Sequence, residues 1–241
     1  MIVFPTYEDG HVVRPYLFIS GNLPKAISKA LINKIGETAD FIRLPSYHRL
    51  DTPVASHPDM LALPTPDGKI CMFGEYAKSL PAALSDKICP IDKVPDKKYP
   101  GDILLNFLIY KENIIGRVDM LPCELQGLEL CQIAARQGYA RCSVCLFGDH
   151  AITSDKGLSE ILSSLGITVL LISPTGISLP GYDRGFIGGA TIVCGHDVFF
   201  FGDPLTHPDG IKMVDFIRSA GFSPISLGSM PLCDYGGGFL C

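Results

Sequence analysis

The sequence predicts an α/β protein built from five similar strand-and-helix units in a single domain spanning residues 1–241. Three observations predict it. Five helical stretches recur along the chain, each is followed by a short apolar run of strand length, and most are preceded by two short runs joined by an Asp-Gly or Gly-containing turn. The unit therefore reads strand, turn, strand, helix, strand. Helix midpoints fall roughly 50 residues apart, with a shorter third-to-fourth step, a period that marks a closed repeat architecture rather than a Rossmann sheet.

The helices are expected over Pro24–Ile35, Glu75–Leu84, Glu124–Arg136, Lys156–Leu165 and Ile211–Ala220. Gly36, Gly138, Gly166 and Gly221 lie just past four of them, where a left-handed C-cap favours glycine. Asp155 and Asp209 occupy N-cap positions. The strands that follow are Phe41–Leu44, Ile88–Ile91, Cys142–Phe147, Thr168–Ile172 and Ser223–Leu227. Hairpins are expected for Met60–Leu63 with Lys69–Phe73 around Pro66-Asp67-Gly68, and for Thr191–Cys194 with Val198–Phe201 around Gly195-His196-Asp197. The triplet His57-Pro58-Asp59 recurs as His207-Pro208-Asp209. Pro90–Pro100, with five lysines and aspartates, reads as a solvated loop within the domain.

Composition narrows the function classes. Hydrophobic residues make up 47% of the 241 residues and charged ones only 19%, enough for a large core in a chain that buries roughly 70–75% of its unfolded surface. The longest apolar runs, such as Ile167–Ile172 and Val198–Phe201, suit buried strands and fall short of the ~20 residues of a membrane span. The start, MIVFPTYEDG, lacks the basic and apolar regions of a signal peptide, so a cytoplasmic location is expected. The formal charge is −5, and Lys97-Lys98 is the longest basic run, which argues against nucleic acid as a partner and fits a cationic small molecule. Low surface charge also admits a homodimer. The nine cysteines are scattered and odd in number, as expected of free thiols in a reducing compartment. Cys142-Ser-Val-Cys145 lies in a strand-like run that points the two thiols to opposite faces, a poor metal chelate.

Four places stand out for chemistry. The stretch Asp234-Tyr-Gly-Gly-Gly-Phe-Leu-Cys241 sets a thiol beside three glycines that admit a close-approaching backbone or ligand. His150, in a polar turn after an apolar strand, is a candidate base for such a thiol, with Asp149 or Asp155 to orient it. Asp59 and Asp102 each open an apolar run, and Asn106 follows Asp102 on what would be the same strand face. Carboxylates at strand starts around a central cavity are suited to holding a planar cation. Leu179–Gly189, rich in glycine, reads as a lid or a tight corner.

The ending Gly236-Gly237-Gly238-Phe239-Leu240-Cys241 resembles the C-terminal Gly-Gly-x-x-Cys motif of the pentein superfamily of guanidino-group modifying enzymes, and GYDRGFIGG and HPDG resemble blocks of a bacterial branch of that fold. The resemblance implies a five-bladed α/β propeller of strand-strand-helix-strand units, matching the five units above. It implies Cys241 as nucleophile, His150 as acid and base, and Asp59 and Asp102 as substrate carboxylates; Asn106 and Asp155, from their positions near Asp102 and His150, are expected around the substrate as well. Tyr99 stands where the family motif Glu-Gly-Gly-Asp, ending at Asp102, has its glutamate. The activity implied is hydrolysis of a guanidino or amidino small molecule through a covalent amidino-thioether, with no cofactor and no metal. The alternative is a pentein-fold protein without catalysis, which binds a ribosome, a protein or a small molecule.

Overall fold

The computed structural model describes residues 14–241 and the main chain of a hairpin pairing Thr6–Glu8 with His11–Val13. The described residues form five further sheets of three strands each. Every sheet repeats one pattern: a first strand antiparallel to a second, and a third parallel to the second. Blade two is Ala62–Pro64, Ile70–Phe73 and Ile88–Ile91. Blade three is Leu108–Tyr110, Asn113–Gly116 and Cys131–Ala134. Blade four is Val144–Phe147, His150–Thr153 and Thr168–Leu171. Blade five is Thr191–Cys194, Asp197–Phe200 and Ser223–Ser226. Blade one joins the two ends of the chain: Gly238–Leu240 lies antiparallel to Tyr16–Ser20, which pairs with Asp40–Leu44. The phenyl rings of Phe18 and Phe239 stack at 4.7 Å across that closure. Pro64, Leu108, Val144, Thr191 and Gly238, one from each first strand, line a single axial cavity of about 250 Å³. The architecture is therefore the five-bladed α/β propeller expected.

Helices Lys25–Ile35, Lys156–Ser164 and Gly210–Ser219 fall where their periodicity puts them. Each turns apolar side chains such as Leu31, Leu158 and Met213 onto its blade. Asp155 caps the second, its carboxylate accepting the Leu158 amide at 2.8 Å. Replacing Asp155 with alanine is expected to cost about 1 kcal/mol, a fall of about 3 °C in thermal midpoint for a domain of this size; an unchanged midpoint would refute the cap's contribution.

Two expected helices are corrected. Glu75–Leu84 breaks into Gly74–Ala77 and a 3₁₀ turn Ala82–Lys87, because Pro81 has no amide to continue the ladder. Glu124–Arg136 is helical only over Cys123–Gln126; the chain turns at Gly127–Glu129, and Cys131–Ala134 becomes the outer strand of blade three. The run Cys142–Phe147 accordingly opens blade four rather than closing blade three, and Cys142 precedes the strand. Asp59 and Asp102 do not open strands either: Pro58–Leu61 is a helical turn, and Asp102–Phe107 is irregular chain leading to Leu108. No described helix is long and apolar enough to cross a membrane.

Candidate functional site at the propeller mouth

A second cavity, of about 230 Å³, opens where the chain enters the first strands. His57, Asp102, Tyr139, Cys142 and Asp234 line it, between apolar walls that include Met60 and Phe186. The preceding segment of each of four blades delivers one or more of these side chains.

Glycines make the packing possible. Asp234 accepts the Gly236 amide on Oδ1 and the Phe186 amide on Oδ2, both at 2.9 Å. A Cβ on Gly189 would fall inside that carboxylate. Gly236 adopts φ +77° and lies against His57, where a Cβ would collide with the side chain. Gly185, Gly189 and Gly236 thus seat one histidine and one acid. His57 Nδ1 lies 3.7 Å from Asp234 Oδ1 and 4.0 Å from Asp59 Oδ1, all three side chains being about 5% exposed or less. Burial pushes the Asp234 carboxyl up to about 6, with His57 pulling it down and Asp59 pushing it further up.

Asn106 organises the thiol. Its Oδ1 accepts the amides of Arg141 at 3.0 Å and Cys142 at 3.2 Å, and its Nδ2 donates to Cys142 Sγ at 2.7 Å and to the Asp59 carbonyl at 3.1 Å. Burial, then the Asp59 and Asp234 charges, raise the Cys142 thiol well above its ordinary range. Asp102 receives the Tyr139 hydroxyl on Oδ2 at 2.7 Å, while its Oδ1 is buried with no partner. Burial raises the Asp102 carboxyl, and the Tyr139 hydroxyl works against that rise.

The residues expected from sequence divide clearly. Asp102 and Asn106 belong to this site. Asp59 lies behind it, facing the axial cavity with Arg141, whose buried guanidinium donates to the Ala62 carbonyl and covers the Phe239 ring. The protein's own arginine thus shares that cavity with Asp59. Asp155 caps a helix and accepts from Gln137 at 3.1 Å. Cys241 and His150 do not line the mouth cavity. Cys241 pairs its main chain with Tyr16 and places Sγ 3.5 Å from the Gly68 carbonyl. Burial raises its thiol while Lys87 pulls it down. His150 stacks on Phe147 in blade four, edge-on to Phe216. No described contact joins the two.

His57, Tyr139, Cys142 and Asp234 were not among the site residues expected from sequence. One signal for the first was visible: the repeated His-Pro-Asp triplet. In the second copy the motif is self-contained, with His207 Nδ1 accepting the Asp209 amide at 3.0 Å and Asp209 bonded to Ser173 and Lys212. In the first copy neither Asp59 carboxylate oxygen has a hydrogen-bond partner, which sets it apart from a structural cap.

The loop Leu179–Gly189 contributes Leu179, Tyr182, Asp183, Arg184 and Phe186 to the cavity wall, and the Tyr182 hydroxyl donates to Asp51 at 2.9 Å. It is both a cover of the site and a tight corner.

Three solved structures with this fold give its relations. A dimethylarginine dimethylaminohydrolase from Pseudomonas aeruginosa complexed with citrulline is 10% identical, with a TM-score of 0.52 over 89% of this chain and 92% of that one. An amidinotransferase from Microseira wollei, of the saxitoxin biosynthetic pathway, is 10% identical with a TM-score of 0.52, covering 92% of this chain and 89% of the other. The agmatine deiminase of C. jejuni is 11% identical with a TM-score of 0.52 over 93% of each chain. At this identity the likeness establishes the fold, the pentein propeller. No curated protein matches the sequence. One family profile matches residues 18–239, and by that match the chain belongs to the family of unknown function DUF6873, here on the pentein fold.

Proposed function

We propose that the protein binds a small organic cation of guanidinium or amidinium type in the mouth cavity, with Asp102 as its counter-ion. One observation carries this reading. Asp102 is 3% exposed, lines the cavity, and keeps one carboxylate oxygen without a partner. An unpaired buried acceptor is costly, and a planar N–H donor entering the cavity removes that cost. The apolar walls suit the flat faces of such a cation, and the cavity's size suits a small molecule. Enzymes of similar fold carry the names of guanidino compounds, dimethylarginine and agmatine, which supports the ligand class.

The reading in which Cys241 attacks and His150 serves as base draws no support from their positions, since one lies against the Gly68 carbonyl and the other against Phe147. Binding that does not depend on Cys241 is the reading favoured.

Isothermal titration with benzamidine and agmatine tests it, with neutral benzamide as control: the amidinium and guanidinium ligands bind and benzamide does not. Equal affinity for benzamidine and benzamide would sink it. A pH dependence follows as well. The cation needs Asp102 ionised, and burial raises the Asp102 carboxyl. Affinity therefore falls on acidification, and the fall begins above the ordinary carboxylate range near pH ~4. Affinity constant from pH 7 down to 4 would exclude Asp102 as the counter-ion.

A further inference from the structure

We infer that the axial cavity is a second ligand site, which takes a small zwitterion bearing an ammonium group and a carboxylate, the first on Asp59 and the second on Arg141. The inference goes beyond the cation-binding reading of the mouth and does not rest on it. The two cavities adjoin. His57, Cys142 and Asp234 line the mouth, while Asp59, Arg141 and Gly236, each one or two residues away in sequence, line the axial cavity. Asp59 is 3% exposed, and neither of its carboxylate oxygens has a hydrogen-bond partner. The Arg141 guanidinium covers the Phe239 ring and makes one hydrogen bond among the described residues, to the Ala62 carbonyl, which leaves most of its N–H groups free to donate. Among the described residues Arg141 enters no ion pair, with Asp59 or with any other acid. The two charges nevertheless sense each other: burial lowers the Arg141 guanidinium, and Asp59 works against that fall.

Opposite charges that face one cavity without pairing select the ligand. A buried charge without a partner is costly. A simple cation would relieve Asp59 and be repelled by Arg141, and a simple anion would do the reverse. Water satisfies hydrogen bonds but brings no charge to either group. A molecule with an ammonium at one end and a carboxylate at the other answers both. Its carboxylate meets a planar guanidinium, which binds such a group through two N–H donors at once. The walls beside them are apolar, with Leu108, Val144, Val193 and Leu240 among the lining. At about 250 Å³ the cavity is smaller than the ~300–1,000 Å³ of pockets for drug-sized ligands. A small apolar α-amino acid has this size and this pattern of charge. No bond is made or broken in the site; it binds.

Titration calorimetry on the intact chain with three related compounds tests this. L-valine carries both charges, L-valinamide keeps only the cation, and N-acetyl-L-valine keeps only the anion. The expected result is that L-valine binds at least tenfold more tightly than either single-charge compound, and that excess benzamidine does not displace it. Asp59→Asn, which removes the charge and keeps the shape, weakens L-valine at least tenfold. The three-compound series needs no substitution, so it decides the matter even if that variant does not fold. Equal affinity for the three compounds, no binding of L-valine, or its displacement by benzamidine would overturn the inference. L-valine bound in preference to its single-charge relatives, with no binding of benzamidine, would uphold this site and sink only the mouth reading.

Discussion

Replacing Asp102 with asparagine is expected to lower benzamidine affinity about a hundredfold and to leave the folded protein at least as stable as before. Asparagine keeps the shape and the Tyr139 contact but removes the charge. Removing one partner from a buried, hydrogen-bonded charge pair costs roughly 2–5 kcal/mol, and a hundredfold corresponds to about 2.7 kcal/mol. The stability half follows from linkage. A carboxyl raised by burial holds its proton more tightly in the folded state than in the unfolded one, so its ionised form works against folding at neutral pH. That penalty vanishes as the pH falls below the unfolded value, and asparagine never incurs it. Titration calorimetry and a thermal melt on the same variant check both halves. A variant that binds benzamidine normally would remove Asp102 from the site.

Gly189→Ala is the second large effect, and it falls on stability. The new methyl group would fall inside the Asp234 carboxylate, which two main-chain amides hold in place. The backbone at residue 189 has no freedom to retreat. Its amide donates to the Cys142 carbonyl at 3.1 Å, and its carbonyl accepts the amides of Tyr235 at 3.0 Å and Gly237 at 2.8 Å. Overpacking of this kind costs about 3 kcal/mol, a fall of roughly 10 °C in thermal midpoint at this chain length. Gly228→Ala is the control, since a Cβ there meets nothing within 4 Å. Equal melting of the two variants would show that Asp234 moves aside, and that its seat is less rigid than its hydrogen bonds suggest.

What was legible in the sequence follows from which signals are local. Hydrophobic periodicity and end signals placed three helices, because an amphipathic stripe and a cap lie within the segment itself. The number of units was legible for the same reason. The third unit was misassigned because Cys131–Ala134 carries an exposed, mixed face that reads as helix as readily as edge strand. Asp102 and Asn106 were found as polar residues in an apolar run. Cys241 drew attention because it follows three glycines, yet the first of them, Gly236, serves Asp234 and His57. Cys142 was weighed only as half of a metal-binding pair. Its significance comes from Asn106, 36 residues earlier, and no local pattern records that contact.

The last strand, Gly238–Leu240, zips onto a strand more than 200 residues earlier. Asp234 and Gly236 sit immediately before it, while His57, Asp102 and Cys142 come from the middle of the chain. The mouth cavity therefore does not exist on any isolated blade, and it is assembled only as the longest loop in the molecule closes. The entropy of that closure is shared by every residue of the site. A bound cation accordingly acts as a clasp on the whole ring: at a hundred times its dissociation constant it adds about 2.7 kcal/mol to the folded state. That gain should slow the opening of blade one, remote as its outer strand is from the ligand, and hydrogen exchange at Asp40–Leu44 is where such slowing would be read.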